Sequence, residues 1–139
     1  MLVFARTLSV KTAGRRLHDV TSEVRGVVHE SKVRAGLCSV FVRHTSASLV
    51  IQENADSAVL RDLERWLEKL APEDEGAYEH DAEGPDDMPA HLRAAVTRTS
   101  ESIPVADGAL LLGTWQAVYL WEHRRGSHRR EVVVTVLGE

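Results

Sequence analysis

The sequence predicts an α+β domain built on a mixed or largely antiparallel sheet, and three observations carry that expectation. Segments with strand-like alternation outnumber segments with helical spacing, strands and helices do not alternate in regular βαβ units, and the last third of the chain is β in character. With 139 residues the chain is one domain by size, residues 1–139. A domain near that length buries about two-thirds of the surface its unfolded chain exposes, so a core forms without covalent staples.

Residues 2–10 put Leu2, Phe4, Leu8 and Val10 on one parity and Val3 and Ala5 on the other, the pattern of a half-buried strand. Ala13-Gly14-Arg15-Arg16 reads as a turn. Over residues 21–34 Val24, Val27 and Val28 recur at helical spacing, with Thr21 as N-cap and Gly36 as the stop. Residues 37–44 return to alternation, with Cys38, Val40, Val42 and His44 on one face, and residues 48–52 continue as β structure. Residues 56–70 carry the strongest helical signal, a single stripe of Val59, Leu60, Leu63, Trp66, Leu67 and Leu70, which places Trp66 in the core.

Pro72 ends that helix and opens a long segment to about Met88, rich in Asp81, Glu83, Asp86 and Asp87, with Tyr78 and His80 inserted. Loops of such length in a compact domain are functional or disordered more often than they are plain connections. Pro89 then suits the first turn of a short helix over residues 89–96. His91 falls in the same turn, where the helix dipole disfavours the imidazolium and keeps the ring neutral as a ligand or acceptor. Strands follow over residues 105–112 and 114–122, a hairpin over residues 124–130, and a valine-rich strand over residues 131–137. Trp115 and Trp121 share a face of the 114–122 strand and suit a core better than a stacking platform.

Composition narrows the function. There are 17 basic and 21 acidic residues, a net charge of −4, a field slightly repulsive to nucleic acid and to anionic membranes. The single cysteine, Cys38, excludes an internal disulfide and any cysteine-based zinc knuckle, which fits a reducing compartment. The first ten residues lack a signal peptide's unbroken apolar run, and no apolar stretch approaches the roughly 20 residues of a membrane span. The expectation is a cytoplasmic protein with no nucleic-acid or membrane partner. On one straight strand Cys38 and His44 stand roughly 20 Å apart, too far for a catalytic dyad. Ser46 and Ser48 lack a nucleophile-elbow pattern and suit hydrogen bonding to backbone or phosphate better than attack. Glu122, in an otherwise apolar strand, is either a carboxylate of raised pKa suited to general-base work or an ion-pair partner of Arg124 or Arg43.

Several motifs then agree in order along the chain: His44-Thr45-Ser46-Ala47-Ser48-Leu49, Glu53-Asn54, Tyr78-Glu79-His80-Asp81, Gly84-Pro85-Asp86-Asp87-Met88-Pro89-Ala90-His91, Gly113-Thr114-Trp115-Gln116 and Trp121-Glu122-His123-Arg124. Together they resemble the YjbQ-like family, proteins named as secondary thiamine-phosphate synthases, over nearly the whole chain. The resemblance implies a YjbQ-like α+β subunit assembling as a homotrimer. It also implies one cleft made from the His-Thr-Ser-Ala-Ser stretch, the acidic loop and the Gly-Thr-Trp-Gln strand. Thr45, Ser46, Ser48, Asn54, Asp86, Asp87, Thr114, Trp115 and Gln116 would bind substrate there, with His44, Glu122 and Arg124 as catalytic groups. The implied reaction joins a pyrimidine diphosphate to a thiazole phosphate, so the substrate is a phosphorylated small molecule.

That chemistry needs the departing diphosphate neutralised by a divalent ion or by arginines. Asp86 and Asp87 offer oxygen ligands suited to Mg²⁺, and Arg124, Arg129 and Arg130 offer phosphate clamps. His44, His80 and His91, at the family's motif positions, would hold a transition metal with one position open, and imidazole favours Zn²⁺ over Mg²⁺. Two alternatives stay open, a metal-dependent hydrolase and a non-catalytic trimer that binds a metal or ligand.

Overall fold

The computed structural model describes residues 1–139. In chain order the elements are β1 (Leu2–Ala13), β2 (Arg16–Asp19), α1 (Thr21–Ser31), β3 (Gly36–Val42), β4 (Ala47–Glu53), α2 (Ser57–Leu70), α3 (Asp87–Val96), β5 (Ser100–Ala106), β6 (Ala109–Leu110), β7 (Gln116–Glu122) and β8 (Ser127–Gly138). They make an α+β fold with a five-stranded sheet ordered β1-β8-β3-β5-β6 and a three-stranded sheet ordered β2-β7-β4. Every strand pairing is antiparallel.

The core lies where the two sheets and α1 meet. Val40, Val42, Val132, Val134 and Val136 from the larger sheet pack with Leu49, Val118 and Leu120 from the smaller one and with Val24, Val27 and Val28 of α1. Period-2 valines on strands and 3.6-period valines on the helix converge on one volume, which is why β-branched residues dominate it. Cys38 is a buried core thiol, as its parity predicts, and burial pushes its pKa up to about 11.

The segment at residues 124–130 is not a hairpin between paired neighbours. β7 belongs to the small sheet and β8 to the large one, so the chain changes sheet there. The β1–β2 corner does the same in reverse, and the corners lie side by side, with the Gly14 N–H donating to the Gly126 carbonyl at 2.7 Å. Both glycines have positive φ, +83° and +76°, which L side chains rarely adopt. Arg16 pairs with Glu122, and Ala13 with Ser127, on either side of this double bend.

Helix termini differ from expectation in detail. Thr21 is the first residue of α1 rather than its cap. Its N–H donates to Asp19 Oδ1, and its hydroxyl accepts from the Val118 N–H at 2.8 Å. The helix stops at Ser31 with Lys32 in the left-handed region. Gly36 serves a different need, since a Cβ there would lie 2.0 Å from the Leu137 carbonyl oxygen. Asp56 caps α2 through the Ala58 N–H. The α2 stripe is covered only in part: Leu67 is buried, while Trp66 is 54% exposed and Leu70 52%. Trp115 is also exposed, and of the three tryptophans only Trp121 is core.

Candidate metal centre

The acidic loop and α3 build the most reactive-looking cluster. Gly84, at φ +102°, turns the loop into the start of α3, and its Cβ position is crowded by Asp86 Oδ1 at 3.2 Å. α3 begins at Asp87, two residues earlier than predicted, so His91 lies one full turn in rather than in the first turn. Asp87 and His91 are then i and i+4 on one helix face. His80, from the loop, closes on the same point. His80 Nε2 is 2.6 Å and His91 Nε2 3.1 Å from Asp87 Oδ2, and the two rings meet edge-on with centroids 5.4 Å apart.

The three donor atoms lie within 4.8 Å of one another. Asp87 is buried, His91 half-buried and His80 exposed. Two imidazoles and one carboxylate with an open side are the donor set of catalytic zinc and of other transition-metal sites. Donors bound at about 2.0–2.2 Å to a common ion stand only a little farther apart than these do, so the residues present fit such an ion.

Arg124 holds the cluster from behind. Its Nε and Nη2 donate to Asp86 Oδ2 and Oδ1, both at 3.2 Å, and Nη2 also reaches the Glu83 carbonyl at 3.0 Å. Its Nη1 lies 3.2 Å from Asp87 Oδ1. Burial alone would raise the pKa of both aspartates. Hydrogen bonds from Arg124 and the Arg125 backbone to Asp86, and from His80 to Asp87, outweigh it and keep both carboxyls below their ordinary range. A cavity of about 300 Å³ opens beside His80, lined by Asp74, Glu75, Tyr78, Asp81 and Met88 among others.

A second polar cluster lies behind the double bend. Glu122 is fully buried, and Arg130 donates to it through Nε at 2.7 Å and Nη2 at 2.6 Å. The Thr12 hydroxyl donates at 2.6 Å and the Arg124 backbone N–H at 3.0 Å. Burial works to raise this carboxyl's pKa, but these donors prevail and hold it below the ordinary range. The raised-pKa base is therefore corrected to a buried ion pair, and the partner is Arg130 rather than Arg124 or Arg43. Arg43 pairs with Glu131 instead. Arg130 Nη2 also donates to Ser46 Oγ at 3.0 Å.

His44 is corrected as well. Its Nε2 accepts the Glu131 backbone N–H at 2.8 Å, so that nitrogen is taken, and Asp87 stands where the sequence expected a third imidazole. Burial first, and then the Arg130 charge, lowers the His44 pKa. Of the three arginines expected to clamp phosphate, Arg124 and Arg130 are committed to carboxylates, and Arg129 donates to Ser9 Oγ on the exposed face of the large sheet.

The Gly-Thr-Trp-Gln end is a third place. Asn54 Nδ2 donates to the carbonyls of Thr114 at 2.9 Å and Gln116 at 3.4 Å, and Gln116 Oε1 accepts the Gly113 N–H. These residues brace a strand end and leave Trp115 exposed. Gln116 and Glu122 stand at opposite ends of β7, six residue steps and roughly 20 Å apart at strand rise. The single cleft expected from three motifs is therefore not formed within one chain. Thr45 is exposed at the surface, while Ser46 and Ser48 are buried.

Sequence reasoning missed His123 and Arg93. His123 is fully buried, with Nε2 2.7 Å from Ser48 Oγ and Nδ1 without a partner. Burial, followed by the Arg93 charge, pushes its pKa down to about 3. Arg93 is buried, its Nε and Nη1 without hydrogen-bond partners and Nη1 4.0 Å from Glu64. A signal existed for His123, since it continues the parity of Ala117, Tyr119 and Trp121 onto a buried face. Arg93 had none, because an arginine on a short helix ordinarily points to water.

Comparisons with known proteins agree with this architecture. A family model described as UPF0047 protein YjbQ-like matches residues 6–139. A UPF0047 protein of Synechocystis is 58% identical over 132 residues, covering 95% of this chain and 90% of that one. UPF0047 protein YjbQ of Escherichia coli O157:H7 is 39% identical over 137 residues, covering 98% and 99%. Among solved structures, a YjbQ/UPF0047 family protein of Clostridium acetobutylicum superposes with a TM-score of 0.87 at 38% identity, covering 95% of this chain and 99% of that one. A hypothetical protein of Aeropyrum pernix gives 0.88 at 31% identity, covering 97% and 98%.

Proposed function

The chain belongs to the YjbQ-like UPF0047 family, and from that premise we propose that it is a divalent-metal enzyme acting on a phosphorylated small molecule. The joining of a pyrimidine diphosphate to a thiazole phosphate is the reaction the resemblance implies. One observation carries the reading: an imidazole from the acidic loop meets an imidazole and a buried carboxylate of α3 at one point beside a cavity. His80, Asp87 and His91 would hold the ion, and two imidazoles favour Zn²⁺ over Mg²⁺. When bound, such an ion supplies positive charge against a departing diphosphate or acidifies water. Arg124 orients Asp87 through Oδ1, and Asp86 fixes Arg124 in turn.

A second reading, metal-dependent hydrolysis, draws on a different observation. No arginine or lysine lines the cavity, while Asp74, Glu75 and Asp81 do. That lining suits a bond carrying less negative charge than a diphosphate ester.

Assembly as a homotrimer is part of the proposal. The exposed apolar side chains Trp66, Leu70, Val96 and Trp115 suit burial between copies.

The test is direct. Purified protein should carry or bind about one Zn²⁺ per chain. Thiamine phosphate formed from the two precursors should fall by at least about 100-fold in Asp87→Ala and in His91→Ala. Unchanged rates in both variants would remove the synthase reading, and absence of zinc binding would remove the metal centre with it.

A further inference from the structure

Two hollows of about 640 Å³ each meet along β2 and share Arg16, Leu17 and Leu60. The one between β2 and α2 is lined by Arg15, Arg16, Arg61 and Arg65, with Glu64 as its one carboxylate. Four positive charges against one stand there in a chain whose net charge is −4. Their neutralisation within the protein is incomplete. Arg15 pairs with Glu73 at 2.7 Å, but Glu73 is shared with Arg125 at 2.8 Å. Arg65 pairs with Asp62 at the exposed surface, and Arg61 donates only to Ser57 Oγ. Arg16 is exposed and pairs with no carboxylate. Glu64 is turned toward the interior, where it accepts from Trp121 Nε1 and lies 4.0 Å from Arg93.

Arg61 and Arg65 are i and i+4 on one helix face, a like-charge arrangement that is unfavourable to the helix. Arg15 in the corner before β2 and Arg16 at its start add two more cations to the same groove. Such an arrangement is stabilised by an anion of more than one charge, and the planar forks of arginine match phosphate oxygens two at a time. Leu17 and Leu60 give the floor an apolar patch. In the adjoining hollow His18 Nε2 is buried with no hydrogen-bond partner.

We propose that this groove binds the phosphate or diphosphate of a small molecule, with the arginines on the phosphate oxygens and the leucines and His18 against the organic part. A small ligand is favoured over a nucleic acid because the four arginines gather around one open groove on a net-acidic chain rather than along an extended stripe. The inference rests on the proposed enzyme reading only for the ligand's place in the reaction. It supplies the anion-neutralising arginines that the metal centre lacks, and Glu73 ties them to that centre through Arg125, whose N–H donates to Asp86 at 2.9 Å.

The test uses inorganic pyrophosphate titrated calorimetrically onto the full chain after treatment with a chelator, so that zinc binding and its failure are read separately. Saturable binding of about one pyrophosphate per chain is expected. Arg16→Ala and Arg61→Ala should each weaken it about tenfold or more, the loss of one charge-assisted contact, and Arg16→Glu should weaken it further. Arg98→Ala, an exposed arginine paired with Glu101, should leave it unchanged, and melting curves check that all variants are folded. No saturable binding would overturn the assignment, as would binding indifferent to both arginine substitutions. Tighter binding of a single-stranded oligonucleotide through the same arginines would overturn it in favour of nucleic acid.

Discussion

Glu122 and Arg124 are two residues apart, yet they belong to ionic clusters of opposite character. Around Glu122 every carboxylate oxygen has a donor, the partners come from β1, β8 and the corner after β7, and the whole group is buried. Around Arg124 the carboxylates of Asp86 and Asp87 are equally well held, but the group ends in His80 and His91 at a surface with a cavity beside it. Both clusters use the same side-chain chemistry. The difference teaches that satisfaction and access, rather than residue type, separate an ion pair that holds a fold from one that prepares a site.

The largest expected effect tests the sealed half. Arg130→Ala leaves a fully buried carboxylate without its cation and should destabilise the fold by about 3–5 kcal/mol in denaturant unfolding. A loss under about 1 kcal/mol would break the contrast. Next comes the open half, where Asp87→Ala should cost zinc affinity at least about 100-fold, or about 2.7 kcal/mol of binding, by titration calorimetry. The same variant should move the unfolding free energy less than Arg130→Ala does.

The third expectation concerns pH. His123 is buried neutral with a pKa lowered to about 3, against 6.5 in the unfolded chain. Above that upper value neither state binds the proton. Below it the unfolded chain takes one up first, so stability falls as pH drops from about 6.5 toward 3, by up to about 1.4 kcal/mol per pH unit from this group. His123→Asn should flatten that part of a stability–pH curve, and an unchanged slope would remove His123 as its source. The smallest effect belongs to Trp115→Ala, which on an exposed side chain should change subunit stability by no more than about 0.5 kcal/mol. If sedimentation shows that the same change dissociates a trimer, the exposed face is an interface between copies.

Much of the fold was legible because its signals are local. The α2 stripe, the Asp56 start and the valine strands are read from spacing alone, since burial of one face imposes the period. The strand at residues 16–19 was not legible, because four residues carry too little pattern. The sheet change after Glu122 was hidden for a related reason: turn residues look alike whether the strands they join pair or part. Trp66 and Trp115 show a further limit, since an apolar position on the right parity still needs a neighbouring element to cover it.

The candidate site divides in the same way. His80, Asp87, His91 and Arg124 were all singled out from the sequence, but the structure clusters Asp87 rather than His44 with His80 and His91. His44 Nε2 instead accepts the Glu131 backbone N–H, and Asp87, which the sequence assigned to substrate or Mg²⁺, lies between the two imidazoles.

By itself the sequence determined family membership, an α+β domain and the residue types available for chemistry. These follow from periodicities and motifs that need no distant partner. Which imidazoles share a carboxylate, which arginine neutralises Glu122 and which faces stay uncovered was decided only by tertiary structure. Such choices depend on distances between segments more than a hundred residues apart in the chain, as between Thr12 and Glu122, and no local pattern encodes them.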